Sequence, residues 1–438
     1  MPEEKPRTAP QNYALLVAFH FPPLRGSSGI QRTLGFSRHL PNSGWSPVVL
    51  APNSRAYEDV DERQMGLIPG DLIVQRAFCL DAARHLAIAG RYPDWLAIPD
   101  RWMSWIPGAV LKGMGIIRKM APSIIWSTYP IATSHIIGDM LARRTGIPWV
   151  ADFRDPMVEW DSENETFVPS DPTILKARLK VEQRCADSAS ALVFCTSQAR
   201  DICLDRYPTL DPARCHVISN GYEEWSFLEA EKLVDRGVAK DQTGVLQILH
   251  SGTIYPTPDR DPSPFFDAVK SLKDKGAISA HTVKFVLRAS GHDDWLEALL
   301  KSRAISDIVS LAPPLPYLEA LAEMMTVDGL LILQGHTSNP AIPAKLYEYL
   351  RAQTPILALL DSGGSTASLM NELEAGVVAP IADAIQIEKK LLEYVEQIRS
   401  GNRASAPVDN IISFSRSELT QRLAVLFDSL SSSVKRSG

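Results

Sequence analysis

From Tyr13 to Phe21 the chain is almost continuously apolar (YALLVAFHF) and stops at Pro22-Pro23. A run of that length, bounded by turn residues, predicts a strand buried on both faces of a parallel sheet. A Gly/Ser loop follows. The spacing of Ile30, Leu34 and Phe36 then predicts a helix to Leu40, and Pro47–Ala51 (PVVLA) returns as a second strand, completing one βαβ unit. Short strands recur at Ser123–Trp126, Pro148–Asp152, Ala191–Thr196 and His216–Ser219, with helical patterns over Thr133–Thr145 and Thr173–Ala189 between them. The first part of the chain therefore reads as an α/β domain over residues 1–228. The stretch 229–244 is rich in Lys, Asp and Glu without a sustained apolar face, and reads as a linker. From Val245 (VLQILHSG) the same logic resumes, with strands at Val283–Arg288, Ile308–Leu311, Gly329–Leu333, Pro355–Leu360 and Val377–Pro380 and a helix over Pro343–Arg351, giving a second α/β domain over 245–410. A last helix is predicted over 413–430, placed to pack back on the first domain, before a Ser-rich tail at 431–438 that reads as disordered.

Length agrees with this division, because 438 residues exceed what one core of about 250 to 300 residues accommodates. With 45 Lys and Arg against 51 Asp and Glu the formal charge is −6, which argues against a nucleic-acid-coating protein, and no nucleic-acid partner is expected. The five cysteines form neither a CxxC pair nor a zinc-ligand rhythm, so reduced thiols in a cytoplasmic protein are expected. The first twelve residues lack the pattern of an export signal. No apolar run approaches the roughly 18 residues of a spanning helix; the best, Ile106–Ile117, is broken by Lys112.

Candidate chemistry sits where strands give way to helices. Gly26-Ser27-Ser28-Gly29 joins a buried strand to a helix, where backbone N–H groups approach an anion and the helix dipole favours it; a tight turn needing Gly is the competing reading. Arg32, on the following helix, faces a ligand or simply solvent. Ala151–Pro156 (ADFRDP) carries Asp152, Arg154 and Asp155 out to the carboxyl edge of a sheet, where open α/β folds hold ligands; a surface pairing of Asp152 with Arg154 is the alternative. His135 begins the helix after Tyr129-Pro130. In the second domain Lys345 and Glu348, three residues apart, share one helix face: the cation suits a diphosphate and the carboxylate a pair of ribose hydroxyls. The alternative is an ordinary surface pair. Gly252-Thr253, Arg260 a short loop later, and Gly363-Gly364-Ser365-Thr366 before a helix add anion-binding geometry. Asp259-Arg260-Asp261 also matches a DxD metal motif, but three residues match by chance easily, and no metal or cofactor is expected.

Four segments, FPPLRGSSGIQR at 21–32, ADFRDP at 151–156, ISNGY at 218–222 and PAKLYEYLRAQTPILAL at 343–359, together resemble the large retaining family four of glycosyltransferases, the type that builds polysaccharides. The resemblance spans nearly the whole chain and implies the GT-B fold, two Rossmann-like domains facing across a cleft. It implies a nucleoside-diphosphate sugar as donor substrate and a hydroxyl of a glycan or lipid-linked glycan as acceptor. By that resemblance Gly26, Gly29, Gly252, Arg260, Lys345, Glu348, Gly364, Ser365 and Thr366 contact the donor, Arg32, His135 and Arg154 the acceptor, and Asp155, Asp152, Arg260 and Lys345 carry the chemistry. The family's paired glutamates are incomplete, since Pro340 stands eight residues before Glu348; this suggests a sugar pocket rebuilt from His336–Ala341. Where many relatives carry a His, this chain has the ADFRDP aspartates. A nucleotide-sugar epimerase and a non-catalytic sugar-nucleotide-binding subunit are the alternatives. Trp95, Trp102, Trp105 and Trp126, near Arg101, Lys112, Arg118 and Lys119, suit either a headgroup interface or a helix covering the first sheet, with Leu111, Met114 and Ile117 as its core stripe. The resemblance favours the inner face of a membrane.

Overall fold

A computed structural model describes residues 12–25, 28–161, 165–235, 244–401 and 406–437. It divides into two compact units, Met1–Asn220 with Arg416–Gly438, and Gly221–Ser415. The first holds strands β1 (Asn12–Ala18), β2 (Trp45–Pro52), β3 (Ile73–Ala77), β4 (Ile124–Thr128), β5 (Trp149–Phe153), β6 (Glu159–Asp161), β7 (Thr166–Val168), β8 (Ala191–Phe194) and β9 (Cys215–Val217). Seven of them form one sheet in the order β3-β2-β1-β4-β5-β8-β9, every pairing parallel; β6 and β7 are a separate antiparallel hairpin.

The apolar run of β1 follows from burial on both faces. Leu15 and Val17 join a core with Trp105, Ala109, Ile137, Leu141 and Cys185 of the helices Trp105–Met120, Ala132–Thr145 and Pro172–Ser188. Ala14, Leu16 and Ala18 join the opposite core with Ile30, Leu34 and Phe36 of the helix Ser28–His39. That second face is completed by the chain's last helix, Arg416–Ser437, whose Leu419, Leu423, Leu426 and Phe427 form one apolar stripe. Phe427 meets Trp45 edge to face at 5.3 Å, and the Trp45 indole donates to Asp428 at 3.0 Å. The tail expected to be disordered from residue 431 is instead helical through Ser437, continuing this stripe with a buried Ser431.

The second unit contains β10 (Leu246–Ser251), β11 (Val283–Arg288), β12 (Val309–Ala312), β13 (Gly329–Gln334), β14 (Ile356–Leu360) and β15 (Val377–Pro380), in the order β12-β11-β10-β13-β14-β15, again all parallel. Helices Ser263–Asp274 and Ala384–Arg399 cover one face through Phe265, Phe266, Leu391 and Tyr394; Tyr317–Thr326 and Ala344–Ala352 cover the other through Leu321, Met324, Leu346 and Tyr349. The order reverses between β1 and β4 in the first unit and between β10 and β13 in the second, and the carboxyl ends at such reversals are where open α/β sheets take ligands.

The expected linker is corrected. Glu224–Asp235 is a helix belonging to the second unit, with Phe227 and Ala230 buried and Leu233 and Val234 against the core, and Arg351 pairs with Glu224 and Glu231. Its apolar face is diluted by acidic residues on the others, so its polarity concealed it. Residues 236–243 lie outside the described part. The tryptophans are also resolved. Trp105 and Trp126 are fully buried against Phe19 and Phe36, Trp102 is half-buried with its indole donating to Ala56 O, and Trp95 is exposed; Leu111 faces outward, away from the core stripe expected of it. All five cysteines are buried and free. No helix among the described residues is long and apolar enough to cross a membrane.

If the last helix is an integral cover of the first sheet, Phe427→Ala destabilises the first unit by about 3 to 5 kcal/mol. Urea unfolding followed by tryptophan fluorescence measures this; a wild-type midpoint would make the helix an accessory.

Candidate functional site

In the second unit, β10 ends in His250-Ser251-Gly252. Gly252 has φ +118°, and a Cβ there would lie 2.8 Å from Lys345 Nζ, so the missing side chain is what lets the ammonium reach the strand end. Lys345 is the second residue of the helix Ala344–Ala352, which begins at Pro343 with no side-chain cap, so the amine sits beside a helix N-terminus. Beneath it lies buried His250, with Nδ1 2.9 Å from Leu331 O and Nε2 3.4 Å from Lys345 Nζ. Because a carbonyl only accepts, Nδ1 carries the proton, and Nε2 offers a lone pair to the amine. Burial lowers the His250 pKa well below its ordinary value, helped by the positive charge of Lys345.

Arg260 stands in the turn Pro258–Arg260, over the Tyr255 ring at 5.2 Å, donating to Thr253 O at 3.3 Å. Burial, then the charge of Arg260, lower the Lys345 pKa to about 7, against the opposing pull of Glu348. Two basic side chains thus lie near enough for the charge of one to act on the other. Glu348, one turn along the helix, accepts from the Tyr317 hydroxyl at 2.8 Å. Asp259 is committed elsewhere: Thr337 Oγ1 and Ser338 N–H donate to its Oδ1 at 2.8 and 3.0 Å, and Ser338 Oγ to its Oδ2 at 2.8 Å. The carboxylate of the DxD match therefore ties this turn to the loop after β13.

The Gly363–Thr366 segment also packs inward. A Cβ on Gly364 would lie 2.5 Å from Asn339 Oδ1, the Ser365 N–H donates to Asn339 O at 2.9 Å, and the buried Thr366 hydroxyl donates to Gln334 Oε1 at 2.6 Å. Gln334 in turn donates to Ser338 O and Ala341 O. In this structure Gly364, Ser365 and Thr366 secure the His336–Ala341 loop.

In the first unit, Arg32 and Asp152 are both buried and bind each other. The Arg32 Nε donates to both carboxylate oxygens at 3.2 and 3.0 Å, Nη2 donates to Oδ1 at 2.6 Å and to Ile218 O at 2.9 Å, and Nη1 donates to Ser219 O at 2.8 Å. Thr128 Oγ1 adds a bond to Asp152 Oδ2 at 2.7 Å. A guanidinium engaged through all three nitrogens inside the unit has no face for an acceptor, and the Asp152 carboxylate has no reach to solvent. Both expected roles are corrected. The pair joins the helix Ser28–His39 to the ends of β5 and β9, and the Asp152–Arg154 surface pairing is not formed.

His135 is likewise internal. It lies between Trp149 and Phe153, bonds Ser127 Oγ through Nδ1 at 2.7 Å, and burial lowers its pKa to about 3, so it is a neutral core residue with no path to an acceptor. Arg154 and Asp155 do stand at the carboxyl edge, paired with each other, Asp155 half-exposed. Near them is half-buried His20, just past β1, whose pKa is lowered to about 4 by burial and then by the charge of Arg154. Gly29 lies in the first turn of its helix, and Gly26 falls outside the described residues.

Residues 28–221 match the glycosyl transferase 4-like domain family. The chain carries a glycosyl transferase 4-like domain. Its fold is GT-B. The likeness of fold extends over nearly all of it: a sucrose-phosphate synthase from Thermosynechococcus elongatus aligns over 97% of this chain and 100% of its own, at 14% identity and a TM-score of 0.63. An alpha,alpha-trehalose 6-phosphate synthase from Burkholderia multivorans aligns over 97% and 98%, at 12% identity and 0.65. HepE of Anabaena, solved in complex with UDP and glucose, aligns over 97% and 99%, at 12% identity and 0.58. No curated protein matches the chain by sequence.

Sequence reasoning about this chain missed His20, His250 and Gln334. Each is a polar residue at the carboxyl end of an otherwise apolar strand, and that interruption was the available signal. Arg32→Ala leaves Asp152 buried and without its arginine, and costs about 3 to 5 kcal/mol of stability. A variant as stable as wild type in urea, with only acceptor KM raised, would return Arg32 to the acceptor site.

Proposed function

We propose that this chain is a glycosyltransferase that moves a sugar from a nucleoside-diphosphate donor to a hydroxyl of a glycan or lipid-linked glycan, with retention, in polysaccharide assembly. The observation that carries the donor half is the Lys345 amine packed against a side-chain-free Gly252 at the sheet reversal, with the charge of Arg260 acting on it. Two cations repel when alone and are reconciled by a polyanion. Lys345, Arg260 and the N-terminus of the helix Ala344–Ala352 stabilise the departing diphosphate as its charge grows, the stage at which electrostatic stabilisation lowers a barrier. Glu348 accepts from the ribose hydroxyls after exchanging its Tyr317 partner. On the acceptor side, Asp155 and Arg154, with His20 beside them, hold and orient the attacking hydroxyl. The diphosphate charge is answered by side chains, and turnover proceeds without a divalent cation.

A thermal-shift series with UDP, ADP, GDP, CDP and dTDP identifies the base; saturation at about 100 times Kd adds roughly 2.7 kcal/mol. Lys345→Ala loses a charge-assisted phosphate contact worth about 1.5 to 3 kcal/mol. Gly252→Ala drives a methyl group against the ammonium and loses comparable affinity. Wild-type affinity in both variants would remove this site from the donor. A sugar product that forms only when acceptor is present separates a transferase from an epimerase or a binding subunit.

Membrane association is part of the same proposal: Leu111, Lys112, Arg118 and Lys119 stand exposed on the helix Trp105–Met120, one apolar and three basic residues suited to an anionic headgroup layer. In flotation with anionic vesicles at low salt the protein rises with the lipid, and replacing the three basic residues by Ser leaves it at the bottom. Wild-type protein that never floats points to a soluble acceptor.

A further inference from the structure

The donor site contains an arrangement that phosphate binding alone does not call for. Lys345 lies over an imidazole whose other nitrogen is anchored to Leu331 O, so the lone pair of His250 Nε2 is fixed in direction and points at Nζ. Among the described residues the charged groups acting on the amine are Arg260 from the turn after β10 and Glu348 from its own helix, with His250 neutral below. Asp259 stands 3.7 Å from Arg260, but its oxygens are held by Thr337 and Ser338. The free site is therefore poor in negative charge and hostile to a second positive one.

We propose that His250 is a positioning residue that holds the Lys345 amine in register with Gly252, and that a nucleoside diphosphate binding here draws one proton from solvent onto that amine. The inference rests on the donor-site reading above and adds its regulation. The chemistry balances simply: the free amine is in part unprotonated near neutrality, the incoming phosphates stabilise the ammonium, and the buffer supplies the proton. One N–H of the ammonium then donates to His250 Nε2 while the others face phosphate oxygens. Donor affinity falls as pH rises through and above the titration of the free amine, which lies at about 7, because an increasing share of binding free energy goes into recharging it.

Isothermal titration of the wild-type protein tests this, with whichever of the five nucleoside diphosphates gives the largest thermal shift, in Hepes and in Tris at pH 8.0. The two buffers differ in ionisation enthalpy, so the difference in observed heat counts protons. Uptake close to one proton per nucleotide is expected, with affinity falling up to about tenfold per pH unit between 8 and 9. Lys345→Arg, whose guanidinium stays charged, binds with no uptake and a flat profile over that range. His250→Gln, whose amide oxygen can accept, stays near wild type, whereas His250→Leu shifts the profile roughly one unit towards acid. Binding without uptake in the wild type, or equal uptake in Lys345→Arg, overturns the proton linkage while leaving the donor site in place. A His250→Leu profile identical to wild type overturns the role of His250. Failure of all five nucleotides to bind overturns the donor-site reading, and this inference with it.

Discussion

A parallel sheet covered on both faces has no solvated surface except its ends, and this constraint shapes both units. It forces β1 and β13 to be apolar along nearly their whole length, and it demands a second layer of helices on each side. The first unit meets the demand by taking in the chain's last helix, whose Leu423 and Phe427 lie in the same core as Leu16 and Val49. It also leaves the carboxyl edge as the place where a charged side chain can meet a ligand. Lys345, Arg260, Arg154, Asp155 and His20 stand on elements that flank such an edge.

Placing an amine at that edge raises a second problem, because the partial burial that strengthens its pull on an anion also disfavours its own charge. The second unit answers with geometry more than with countercharge. Gly252 gives up a side chain so that Nζ can sit at the strand end, and Gln334 and Asp259 rigidify the neighbouring loops through neutral and carboxylate bonds to Ser338. Among the described residues Glu348 is the carboxylate that raises the Lys345 pKa, and it is half-exposed and bonded to Tyr317. A full salt bridge to Lys345 would satisfy the free protein and compete with the ligand.

Much of this was legible in the sequence, for reasons that differ by element. Strands such as Val283–Arg288 and Val377–Pro380 matched their expected bounds because apolar runs between turn residues have few other readings. β3 was not legible, since an edge strand with a partly exposed Ile73 lacks the run, and neither was the β6–β7 hairpin, whose Trp160 and Phe167 point outward. Residues 229–235 of the helix Glu224–Asp235 were taken for linker because its buried positions are only one face of an acidic segment. The proximity of Lys345 to Gly252 was not legible at all; each was singled out separately, and only folding brings positions 93 residues apart to within a methyl group of each other.

Arg32 and Lys345 show why charge at a sheet edge does not by itself identify a ligand site. Both are basic, both lie on the helix following a strand, and both were expected to meet substrate. Arg32 has an opposite charge fixed against it by three bonds, and two backbone carbonyls take further N–H groups, so its charge is answered within the unit. Removing such a partner leaves an uncompensated buried charge, which makes the pair structural. Lys345 has instead a neutral imidazole beneath and a second cation nearby, a combination that leaves the protein less favourable alone than it would be around an anion. The distinction lies in whether the folded chain already supplies the countercharge, and at Gly252 it does not.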